Sequence, residues 1–235
     1  MSNKSKGKPE NPKKDNFTRN LVVVVIVGVL LIMLVPTLLS NKTDISAAVP
    51  SSVSVEDGYG IVFNSELKDV PQVDIYADFQ CPVCAEFEKL NGVYIEDLID
   101  QKKARVVFHL LSFLGQRQGS ANESARAANA AACAADEGQF LPFQRLLFTT
   151  QPQENSGVWT PSYLKDAGAA IGITSEKFST CVLNNSYAGW VDNVAAAGAA
   201  NNVNSTPTVF VNGKEIDRQT QYFDAAAFKA VVEKG

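Results

Sequence analysis

The residues of this chain best suited to chemistry are its four cysteines, Cys81, Cys84, Cys133 and Cys181. Two of them stand together as Cys81-Pro82-Val83-Cys84, while Cys133 and Cys181 lie 48 positions apart. A close thiol pair exchanges with other disulfides, forms an inert structural bridge, or supplies half of a zinc site. The zinc reading needs a second close Cys/His pair, and His109 is the sole histidine of the sequence. In an oxidising compartment four cysteines allow three connectivities, and the spacing favours Cys81 with Cys84 and Cys133 with Cys181.

The elements around the close pair sharpen its chemistry. Val73-Asp-Ile-Tyr-Ala-Asp-Phe79 is rich in strand formers, and Cys84-Ala-Glu-Phe-Glu-Lys-Leu90 reads as a helix. The pair therefore falls at a strand-to-helix turn, where unpaired N–H groups and the positive end of the helix dipole stabilise a thiolate. Pro82 sits where a first helical turn tolerates a missing N–H. Cys81 is expected to point outward as the attacking thiol, with Cys84 shielded by the helix as the resolving one. Ser120-Ala-Asn-Glu123 has a capping-box pattern that opens an alanine-rich helix ending near Gly138, which places Cys133 on a helix. A second short helix over 174–183, capped by Thr174, carries Cys181. A Cys133–Cys181 bridge would staple the two.

Charge and hydropathy supply the compartment. The chain of 235 residues has a net charge of -4, which argues against a nucleic-acid binder relying on a strongly basic face. That average hides a net of +4 over residues 1–20 and of -8 over the rest. Between them Leu21 to Leu39 holds no charged residue, and its 19 positions would make a helix about 28 Å long. The positive-inside rule then leaves the basic head in the cytosol and exports the remainder. A cleaved signal peptide is the competing reading, with Ala47-Ala48 as a weak cleavage site, and it exports the domain too. A buried core helix fits poorly with the lysine-rich leader. The expected organisation is a cytosolic tail over 1–20, a transmembrane anchor over 21–39, a tether over 40–58 and a folded domain over 59–235.

A second segment completes the picture: Asn204-Ser-Thr-Pro-Thr-Val-Phe-Val-Asn-Gly-Lys214. Together with Asp78-Phe-Gln-Cys-Pro-Val-Cys84 it resembles the DsbA-like branch of the thioredoxin superfamily, in its membrane-anchored, Gram-positive and actinobacterial forms. The resemblance covers about residues 60–233. It implies an α/β thioredoxin-like fold with an inserted helical subdomain at about 112–200, here preceded by a single transmembrane helix. It also implies that Pro207 is cis and packs beside the cysteine pair. Thr206 would then present a backbone edge to an extended substrate, and Pro82 and Val83 would share the active-site surface.

The sequence departs from familiar relatives at two points. Pro82-Val83 lacks the histidine that strong oxidants of the family carry between their cysteines. The buried acid often found six residues before the first cysteine is replaced by Ile75, with Asp74 and Asp78 nearby. That leaves Asp78 and Glu86 as weak candidates for the proton acceptor of Cys84, and His109 reads as a satisfied core or edge histidine.

The resulting expectation is an extracytoplasmic thiol:disulfide oxidoreductase that oxidises newly exported proteins through Cys81 and Cys84. It needs no metal and no cofactor, and a quinone-linked membrane reoxidase of the DsbB or VKOR type is implied by the resemblance. The rivals are a reductase or isomerase on the same fold, a non-catalytic chaperone or binding module with inert bridges, and metal delivery.

Overall fold

A computed structural model describes residues 46–116 and 122–235. The basic head, the Leu21–Leu39 span and the first part of the tether lie outside the described residues. Among the described residues no helix is long and apolar enough to cross a membrane.

Six strands form one mixed sheet: β1 (Val53–Ser54), β2 (Gly60–Phe63), β3 (Gln72–Ala77), β4 (Arg105–Leu110), β5 (Thr208–Val211) and β6 (Lys214–Glu215). Their spatial order is β1-β2-β4-β3-β5-β6. β3 runs parallel to β4 and antiparallel to β5, with Tyr76 opposite Thr208. Because β5 runs against β3, its first residues meet the last residues of β3. This register brings the Thr206-Pro207 loop to the turn that follows β3.

Helix α1 (Pro82–Asp100) links β3 to β4 and buries Cys84, Phe87, Ile95 and Leu98 along one stripe. Between β4 and β5 lie α2 (Phe113–Gln116), α3 (Glu123–Ala135), α4 (Phe140–Thr149), α5 (Pro161–Ala170), α6 (Glu176–Leu183) and α7 (Ala188–Ala200), and α8 (Ala225–Lys234) closes the chain. α3 lies at the centre of this helical insertion. Its alanines are buried from Ala127 through Ala135, and their small side chains let α4, α5, α6 and α7 approach closely. Asn212 and Gly213 both take positive φ, 50° and 76°, the requirement of a type I′ hairpin between β5 and β6.

The capping residues differ from the sequence reading. Asn122, whose side chain accepts from the Ala125 N–H, caps α3 where Ser120 was expected. The Glu123 carboxylate accepts instead from the Gly157 and Trp159 N–H groups and from Gln80. Ser175 rather than Thr174 caps α6, through the Phe178 N–H. In both places neighbouring residues can all cap a helix, and the burial of the apolar face selects among them.

Cys133 on α3 and Cys181 on α6 are bonded, with their Cα atoms 5.9 Å apart. The bond closes a loop of sequence separation 48, for which the chain-entropy relation gives about 4 kcal/mol. The paired change Cys133→Ala with Cys181→Ala is expected to lower the guanidinium unfolding midpoint by a corresponding amount. An unchanged midpoint in equilibrium denaturation would show that the bond contributes nothing to stability.

Candidate active site

The chain leaves β3 at Ala77, turns through Asp78-Phe79-Gln80 and enters α1 at Pro82. Cys81 is therefore the N-cap of α1, in an extended conformation (φ -77°, ψ 114°). Its carbonyl accepts the first helical bonds from the Cys84 and Ala85 N–H groups, at 3.0 and 3.2 Å. Its thiol has no capping bond to make, so the sulfur is left to the N–H groups of the first turn. Cys81 and Cys84 are both unbonded thiols.

The cysteine pair meets the second segment through space. The Thr206–Pro207 peptide bond is cis, and the Cys81 thiol lies 3.5 Å from the Thr206 carbonyl oxygen. The Arg218 guanidinium donates to Ser205 Oγ and to the Pro207 carbonyl, which holds this loop from the far side. Pro82 and Val83 lie exposed beside the pair.

One expectation about exposure is corrected. Cys81 does not point freely outward: it is 6% exposed, against 2% for Cys84. The loop carrying Thr206 covers it.

The two thiols are strongly unequal. Cys81 is lowered to about 6, chiefly by a hydrogen bond from the Cys84 thiol. The Thr206 side chain and the N–H groups of Cys84 and Val83 add to this, against the opposing effect of burial. Cys84 is pushed well above the ordinary thiol value, first by burial and then by the neighbouring Cys81 sulfur. The arrangement can present one thiolate near neutral pH and hold a protonated partner behind it.

The two candidate proton acceptors separate cleanly. Glu86 is on the solvent side, paired with Lys89 at 3.2 Å. Asp78 is fully buried, and its main chain hydrogen-bonds Cys84. Its carboxylate accepts from the Gln80 and Leu114 N–H groups at 2.9 and 3.0 Å, and burial raises its pKa. Ile75 and Asp74 stay in β3, with Asp74 bonded to the Gln72 amide. His109 is buried and stacked on Tyr76 at 3.9 Å, but it is only half satisfied. Its Nε2 lies 3.4 Å from Asp74, and its Nδ1 has no partner among the described residues.

Several polar residues at the turn escaped the sequence reading. Gln80 donates to Glu123 and accepts from Ser124, both at 3.1 Å. The Glu123 carboxylate also accepts from the Gly157 and Trp159 N–H groups at 2.9 and 2.7 Å. Gln151 donates to the Phe79 and Cys81 carbonyls. The one local signal was Glu123 itself, an acidic residue opening an alanine-rich run, and capping explained it equally well.

The thioredoxin family model matches residues 68–233, a stretch that contains the cysteine pair, the helical insertion and the cis-proline loop. The chain belongs to the thioredoxin family. Within it the likeness is to DsbA-type proteins. Oxidised DsbA from Mycobacterium tuberculosis is 29% identical, with a TM-score of 0.63 over 74% of this chain and 91% of that one. Disulfide bond formation protein D of Bacillus subtilis is 26% identical over 68% of this chain and 69% of its own length. A stretch of 89 residues is 34% identical to serine/threonine-protein kinase PknE of M. tuberculosis, and it spans only 16% of that kinase. The folded domain is thus that of a DsbA-type thiol–disulfide oxidoreductase.

The unequal thiols set a pH dependence. The reduced protein should show a thiolate absorbance step near pH 6 at 240 nm, and the step should be absent from Cys81→Ser. Because the folded value lies below the ordinary thiol value, the reduced form gains stability as pH rises above about 6, and the gain is complete above the unfolded value. It is lost again as pH falls through about 6. A step only near pH 8 or above, about the unperturbed thiol value, would show that neither the Cys84 thiol nor the helix start stabilises a Cys81 thiolate.

Proposed function

We propose that this chain is a membrane-tethered, extracytoplasmic dithiol oxidase that introduces disulfides into exported proteins. The observation that carries the reading is the asymmetry of the pair. Cys81 lies against the cis-proline loop with its pKa lowered to about 6, and the buried Cys84 behind it is pushed well above the ordinary thiol value.

The chemistry follows from that asymmetry. A substrate thiolate attacks Cys81 Sγ of the oxidised pair, and the Cys81–Cys84 bond breaks with its electron pair going to Cys84, which takes up a proton. A second substrate thiolate then attacks the substrate sulfur of the mixed disulfide and expels Cys81. Thiolate leaving groups depart faster as their pKa falls, so a low-pKa Cys81 speeds this second step. The substrate loses two electrons and the pair gains two. The same stabilised thiolate favours the reduced enzyme and makes the couple oxidising. Thr206 offers main-chain pairing to an extended, unfolded substrate beside Cys81.

The location rests on separate support. The charge split around Leu21–Leu39 favours an N-terminus in the cytosol and an exported domain. A disulfide between Cys133 and Cys181 is typical of oxidising compartments. The B. subtilis relative is named for disulfide bond formation, which agrees with the proposed direction. Each cycle leaves the pair reduced, so the proposal includes a membrane reoxidase of the quinone-linked type.

Cys81→Ser is expected to abolish oxidative refolding of a reduced, unfolded test protein. Cys84→Ser should accumulate a mixed disulfide between Cys81 and the substrate, visible on non-reducing gels and cleared by dithiothreitol. If Cys81→Ser oxidised the substrate at the wild-type rate, the proposal would fail.

A further inference from the structure

Cys81 occupies the N-cap of α1, the position where Ser, Thr, Asp or Asn would lock the helix start with a side-chain bond. A cysteine that must remain reactive cannot do this, and no side-chain cap is present. The turn from Phe79 to Cys81 is held from outside instead. Gln151 stands just past the end of α4, and its Nε2 donates to the Phe79 carbonyl at 2.6 Å and to the Cys81 carbonyl at 3.1 Å. The end of α4 is brought there by packing of Phe148 on Phe79, with ring centroids 4.9 Å apart. Beyond Gln151 the segment is fastened again, where Glu123 receives the Gly157 and Trp159 N–H groups and also binds Gln80.

We infer that Gln151 is a positioning residue for Cys81: its amide holds the main chain of the turn so that the sulfur stays over the N–H groups of Val83 and Cys84. The inference rests on the oxidoreductase reading of the pair and deepens it. The Cys81 carbonyl already accepts two helical N–H groups, and the Gln151 amide adds a third donor to it. This fixes the backbone angle that aims the sulfur. It also draws off the partial negative charge of two carbonyl oxygens that would otherwise oppose a thiolate. The helical insertion thereby acts on the reactive sulfur through the main chain, without touching it.

The test uses the full chain with three substitutions. Gln151→Met keeps the length and removes both donors, and Gln151→Glu places a carboxylate opposite the two carbonyls. Gln151→Asn keeps the amide on a shorter arm. For loss of one or two hydrogen bonds, iodoacetamide alkylation of Cys81 at pH 6 should slow about threefold to tenfold in Gln151→Met, and further in Gln151→Glu. The rate at pH 9, where the thiolate is fully formed in every variant, should stay at the wild-type value. Gln151→Asn should fall between wild type and Gln151→Met, and it carries the test if Gln151→Met does not fold. A folded variant with an unchanged pH profile, whatever its thermal stability, would overturn the inference. A wild-type protein with no thiolate at pH 6 would overturn the proposed oxidase, which rests on a stabilised Cys81 thiolate, instead.

Discussion

The structure depends on one electrostatic arrangement: a cysteine sulfur at the first N–H groups of a 19-residue helix. A helix start offers unpaired donors and a positive dipole end, and here Cys84 adds a thiol donor at close range. Pro82 belongs to the same arrangement, since it gives up an N–H that the helix would not have used. The neighbouring Cys84 is raised by the burial that shields it. One thiolate and one thiol, a turn apart, follow from the placement of the pair at the end of a buried strand.

The rest of the fold maintains that placement. β3 lies inside the sheet between β4 and β5, so its end is fixed from both sides. The antiparallel β5 returns Thr206 and Pro207 to the sulfur. The helical insertion then approaches from the other direction with Gln151, Glu123 and Phe148. Its own rigidity comes from the buried alanine face of α3 and from the Cys133–Cys181 bond.

What could be read from the sequence was local. The strand-to-helix junction at Cys81, the Asn212-Gly213 hairpin and the insertion helices all announce themselves through periodicity and turn chemistry within a few residues. The polar ties at the turn do not. Gln151 is 70 residues from Cys81, and Glu123 is 36 from Trp159, so no spacing rule connects either pair. The resemblance set Pro207 beside the pair, but it did not show that the Thr206 carbonyl comes within 3.5 Å of the Cys81 sulfur and covers it. The caps of α3 and α6 were misplaced by one or two residues for a different reason. Adjacent residues of equal capping ability leave the choice to tertiary packing, which a local pattern does not contain.

The central claim is that stabilising Cys81 as a thiolate makes the Cys81–Cys84 couple oxidising, and its equilibrium redox titration against glutathione in the full chain tests this directly. Without a histidine between the cysteines, and with Cys81 at about 6, the couple should be weaker than the strongest oxidants of the family. The account predicts a midpoint below the DsbA reference of about -120 mV and above the thioredoxin value of about -270 mV. A midpoint near about -270 mV, the value of a thioredoxin-type reductant, would contradict it.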